Sequence, residues 1–120
     1  MTELETQIDE FIRVEEATVL ILRNLKKLLV ESVELKRQLH EIRNEKLPRE
    51  FSSYRQAEEG QPRLQQQVAM GILKEKEQKA ASDLAIVTGF FGALTEELEA
   101  NLSTQAKALT ELQELARFLQ

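Results

Sequence analysis

The chain has no cysteine, which excludes disulfides and thiolate metal sites. Tryptophan is absent too, and five Phe and one Tyr are the only aromatics. A chain poor in aromatics and rich in Leu, Glu, Gln, Ala, Lys and Arg has the profile of long helices rather than sheets. Glycine and proline are scarce, at four and two residues, and all of them fall between Pro48 and Gly92. These residues most often stop a helix, so two long uninterrupted helical arms are predicted. Residues 2–46 as one helix would run about 67 Å at 1.5 Å per residue, roughly twice the diameter of a compact domain of this length. The expected molecule is a single-domain rod of 120 residues. A rod buries less of its surface than a globule and recruits apolar cover from another molecule.

Further absences narrow the function. No apolar run reaches the roughly 18 residues that a spanning helix needs, so none is expected. Residues 3–16 carry six acidic side chains against Arg13 alone, unlike a secretory leader. The net charge of −5 argues against nucleic acid as the main ligand, and the basic doublets Lys26-Lys27 and Lys36-Arg37 are too few for a phosphate footprint. These features favour a cytoplasmic or nuclear protein. His40 is the only histidine, too little for a zinc or di-iron site. No phosphate loop, nucleophile elbow or His–carboxylate pair occurs, so neither an enzyme nor a cofactor or metal is expected. Asn101-Leu-Ser103 spells a glycosylation acceptor inside a predicted helix and is taken as chance.

What is present is period. The first arm opens on Thr2-Glu-Leu-Glu5, the spelling of a capping box. Its acidic start and its basic end (Lys36, Arg37, Arg43, Lys46) complement the helix dipole. Apolar positions run Leu4, Ile8, Phe11, Val14, Thr18, Ile21, Leu25, Leu28, Ser32, Leu35, Leu39, Ile42. From Val14 the spacing alternates four and three, a coiled-coil seam, while Ile8–Phe11–Val14 repeats three twice, a stammer. Val19, Leu20, Leu22, Leu29, Val30 and Val33 lie off the seam and widen the apolar arc beyond what a two-stranded coil needs.

Leu47-Pro48 is expected to end the first arm, although Pro48 can open the next helix at its first position, with a short helix over residues 49–59 closed by Gly60 and a restart at Pro62. Residues 63–81 look helical through Leu64, Val68, Ile72 and Leu73. Residues 84–94 then pass without a charge, and Gly89 and Gly92 within them imply a close helix crossing or a bend. The segment suits a crowded core layer, with a partner patch or a lipid-surface contact as alternatives. Beyond it two frames remain open. One runs Leu84, Val87, Phe91, Leu94, Leu98, Asn101, Gln105, Ala108, Leu112, Leu115, Leu119. The other runs Leu98, Leu102, Ala106, Leu109, Leu112, Ala116, Leu119 and avoids the two polar residues.

The fold expected is all-α, an elongated helical hairpin of arm one (2–46), a corner (47–62) and arm two (63–119). The function expected is that of a structural or assembly protein. It would associate through apolar helix faces, with itself or with other helical proteins. Residues singled out for that contact are Ile21, Leu25, Leu28, Leu35, Leu39, Phe91, Leu94, Leu98, Leu112 and Leu115. Alternatives are a small export or assembly chaperone that holds an amphipathic client segment, and a peripheral lipid-surface binder acting through residues 84–94.

Overall fold

A computed structural model describes the backbone of residues 2–118 and the side chains of residues 3–118. The Thr2 cap and the Leu119 seam position lie outside the described side chains. The chain is all-α: two long helical stretches joined by a short corner, with no strand among the described residues. Helix α1 spans Thr2–Glu41, a single π-helical turn spans Ile42–Lys46, α2 spans Leu47–Gln56 and α3 spans Gln61–Phe118. Only residues 57–60 are non-helical among those described.

Two compact units are distinguished by their contacts: Met1–Leu28 with Phe90–Gln120, and Leu29–Gly89. In the first, α1 and α3 pair antiparallel. Ile21, Leu25 and Ala108 are buried on the facing sides, with Thr18 beside them. The period explains this pairing, because a four-three alternation keeps one stripe turned to the same neighbour along the whole helix. Each buried Leu or Ile contributes about 1.5–3 kcal/mol. A helix pair cannot enclose a side chain on every side, and none of the large ones described falls below 2% exposure.

In the second unit the end of α1, the π-turn, α2 and the first half of α3 form a helical hairpin around buried Leu39, Ile42, Ala80 and Val87. Here the expected stop at Leu47-Pro48 is corrected. Glu41, Lys46 and Leu47 all keep right-handed helical angles, so the helix passes through Pro48 to Gln56. The π-turn is what permits this. The Leu47 N–H reaches back five residues to the Ile42 carbonyl, and the widened turn seats a proline that would clash in a regular ladder.

The extra residue also shifts the seam. Continued at normal spacing past Ile42, the stripe would turn Lys46 and Arg49 inward. Instead Leu47 and Glu50 are half-buried while Lys46 and Arg49 are exposed. One inserted residue thus exchanges a lysine for a leucine at the inward position.

The corner itself is Ala57 to Gly60. Ala57 is extended at φ −70° and ψ 142°, and Gly60 takes φ +99°, a left-handed angle that suits glycine. Arg63 ties the corner together. Its Nη2 donates to the Ala57 carbonyl at 3.1 Å, its Nη1 lies 3.8 Å from Glu59, and its guanidinium sits 5.5 Å from the Tyr54 ring centre.

Candidate interaction surface

The inward stripe of α3 can be read residue by residue. Within the first unit it is Phe91, Leu94, Leu98, Asn101, Gln105, Ala108, Leu112 and Leu115, all buried or half-buried. The first of the two frames is therefore the one used. In the second unit it is Arg63, Gln66, Met70, Leu73, Glu77, Ala80, Leu84 and Val87. Leu64, Val68 and Ile72 stand outside it at 49–63% exposure.

The frame with Asn101 wins because the polar residues find one another. Asn101 Nδ2 donates to the Val14 carbonyl at 3.0 Å and also to the Thr18 hydroxyl. The single Thr18 proton is shared between the Val14 carbonyl and Gln105 Oε1, both at 3.1 Å. Buried polar groups that satisfy one another in this way avoid the penalty of unpaired ones.

On α1 the stammer expected at Ile8 is corrected. Gln7, not Ile8, occupies the half-buried position, so the alternation runs without interruption through Leu4, Gln7, Phe11 and Val14. Of the two roles expected for the glycines of residues 84–94, the close crossing is corrected. A Cβ added at Gly89 or at Gly92 meets nothing within 4 Å, and α3 is helical through both. No close crossing requires them. The segment divides by face, with Val87 buried, Leu84, Phe91 and Leu94 half-buried, and Ile86 and Phe90 exposed.

All ten residues singled out for association lie on the inward stripes. Ile21, Leu25 and Leu39 are buried; Leu28, Leu35, Phe91, Leu94, Leu98, Leu112 and Leu115 are half-buried. They pack within the chain. The apolar surface left open is made of other residues.

That open surface has a simple rule. One residue after each seam position lies about 100° further round a helix. On α1 in the first unit those residues include Ile8, Ile12, Val19 and Leu22, each 41–49% exposed. On α3 in the same unit they include Leu102 and Leu109, at 48% and 44%. In an antiparallel pair the residues following the two seams share one side of the pair, and those preceding them share the other. The preceding set bears this out, because Asn24 and Lys27 line one open groove with Phe90, Ala93 and Glu97. The first unit thus has a mixed, partly charged side and a predominantly apolar one. Sequence alone marks Val19 and Leu22 as widening the arc and Leu102 and Leu109 as an alternative frame, but does not show that both helices turn them the same way.

Charged groups elsewhere sit on helix surfaces. Arg37 bridges Glu34 at 2.7 Å and Glu41 at 2.9 Å on the outside of α1. The Arg37 guanidinium, helped by the Gln38 amide, holds the Glu34 carboxyl down at about 2. Glu34 in turn raises Arg37. Arg43 Nε lies 3.4 Å from Glu77 Oε1 across the second unit's hairpin. His40 Nδ1 is 2.9 Å from Asn44 Nδ2 on the exposed face. Among the described residues no cluster of His, Asp or Glu is placed to hold a metal ion, and no helix is long and apolar enough to cross a membrane. Comparison with protein-family models, curated proteins and solved structures returns no match.

Proposed function

We propose that this chain is a structural or assembly protein without catalytic activity. It associates through the apolar helix faces that its own packing leaves open. The observation that carries the proposal is that Ile8, Ile12, Val19, Leu22, Leu102 and Leu109 stand exposed on the same side of the first unit, whereas Leu20 and Phe90 on the other side stand among polar and charged residues. Single exposed leucines need no explanation, whereas a predominantly apolar side shared by two paired helices is the kind of surface that binds another protein. Its shape suits a further helix, because stripes at four-three spacing accept knobs from a neighbouring helix.

The inward residues Ile21, Leu25, Leu28, Leu35, Leu39, Phe91, Leu94, Leu98, Leu112 and Leu115 then hold the hairpin, and the off-seam residues meet the partner. Light scattering on the purified chain, combined with tagged-chain purification, tests the proposal. A particle larger than the 13.8 kDa of one chain, or a helical partner retained in fixed stoichiometry, supports it. A partner released on dilution points to the chaperone alternative. A monomer that retains nothing contradicts both.

A further inference from the structure

Between Ile12 and Leu29, two charges interrupt the apolar stripe that follows the seam on α1. Glu15 and Lys26 are both exposed, and neither forms an ion pair with another described residue. Between them in the same stripe stand Val19 and Leu22. The stripe is symmetric about the midpoint of that pair. Counting outward, Val19 mirrors Leu22 and Glu15 mirrors Lys26, and in the sequence Ile12 mirrors Leu29.

Resting on the association proposed above, we infer that the partner is a second copy of this chain. The two α1 helices lie antiparallel across a two-fold axis between Val19 and Leu22. A two-fold contact presents one patch to itself, with each residue opposite its mirror. The antiparallel order sets Glu15 of each copy against Lys26 of the other, twice over, and apolar against apolar between them. A parallel order would set Glu15 against Glu15 and Lys26 against Lys26, so the charges select one order. The α3 stripe on the same side lacks this property. Its charge within the first unit is Glu99, with no basic residue to answer it. The self-complementary element is α1.

Charge reversal tests the pairing in the full chain by sedimentation equilibrium. Glu15→Lys alone and Lys26→Glu alone should each weaken the dimer by about tenfold or more, since each replaces two attractions with two repulsions. The double variant Glu15→Lys/Lys26→Glu should restore wild-type association. Because both residues are exposed, circular dichroism should show all three variants as helical as the wild type. A chain that associates equally well in all four forms overturns the pairing and leaves the association proposal standing. A wild-type monomer at about 100 µM also overturns the pairing, and the association proposal then rests on the retained-partner experiment alone. For orientation, separate Glu15→Cys and Lys26→Cys chains should crosslink only when mixed. A Glu15→Cys chain that crosslinks with itself contradicts the antiparallel order.

Discussion

Asn101 on α3 donates its side-chain amide to the Thr18 hydroxyl on α1, across a seam otherwise lined largely by apolar side chains. With Gln105 accepting from the same hydroxyl, the polar contact fixes which residue of α3 stands opposite which residue of α1. Leucines at all three positions would bind more tightly but would fit in several registers. A polar residue at a seam position trades stability for register in this manner.

The contact predicts opposite effects for partial and complete removal. Thr18→Val leaves Asn101 and Gln105 without their hydroxyl partner and should cost about 1–3 kcal/mol, seen as a lower melting temperature. The triple variant Thr18→Val/Asn101→Leu/Gln105→Leu should melt higher than the wild type and give a broader distribution of species in sedimentation. A triple variant less stable than Thr18→Val alone would contradict the register role.

The π-turn makes a second prediction. Deleting Asn44 removes the inserted residue and returns Pro48 to a regular ladder, where it clashes. The cost should be about 3 kcal/mol. Adding Pro48→Ala to that deletion should recover the loss, because the ladder is then regular and Leu47 still faces inward. Equal melting of the deletion and the wild type would show that the extra residue is not there to seat the proline.

Neighbouring residues within 84–94 should respond very differently to charge. Val87 is 5% exposed and Ile86 is 54% exposed. Val87→Asp puts an unpaired carboxylate into the inward layer and should cost at least about 3 kcal/mol. Ile86→Asp should stay within about 0.5 kcal/mol of the wild type. Leu94→Asp, half-buried, should fall between them. Urea denaturation of the three variants reads this directly, and similar midpoints for Val87→Asp and Ile86→Asp would contradict the assigned face.

The Glu34–Arg37 pair gives a pH effect of known sign. The carboxyl titrates at about 2 in the folded chain, below its ordinary value of 4.5. A depressed folded value means the stabilisation is complete above the ordinary value and is lost as pH falls toward 2. Both groups are solvent-exposed, so screening keeps the effect small. Melting temperature should be insensitive to this pair between pH 5 and 8. Below pH 4.5 the wild type should lose more stability than Arg37→Ala does, and parallel profiles for the two proteins would contradict the contact.

Most of the architecture is legible in the sequence because it rests on period. The four-three alternation from Val14 to Ile42 and from Leu84 to Leu115 marks the inward stripes that the structure uses. The misreadings share one cause, since apolarity is not the same as facing inward. It favours Ile8 over Gln7, and Leu64, Val68 and Ile72 hide the stripe through Gln66, Met70 and Glu77. Asn101 and Gln105 look like faults in a frame that they in fact lock. Pro48 reads as a stop because propensity carries no information about a seam that one extra residue can rephase. The same bias selects Ile21, Leu25, Leu94 and their neighbours as partner contacts. The strongest apolar positions are the ones this chain uses on itself, and the apolar surface it leaves exposed is written in the weaker stripe beside them.

The proposed association depends most on that weaker stripe. Sedimentation equilibrium of the wild type beside Val19→Ser/Leu22→Ser/Leu102→Ser, from about 1 to 100 µM, tests it most directly. The wild type should exceed the 13.8 kDa of a single chain, and the variant should fall to that mass with unchanged helicity, since its inward stripe is intact. Two proteins that associate equally, or two monomers that retain the same partner equally, would contradict that role for the stripe.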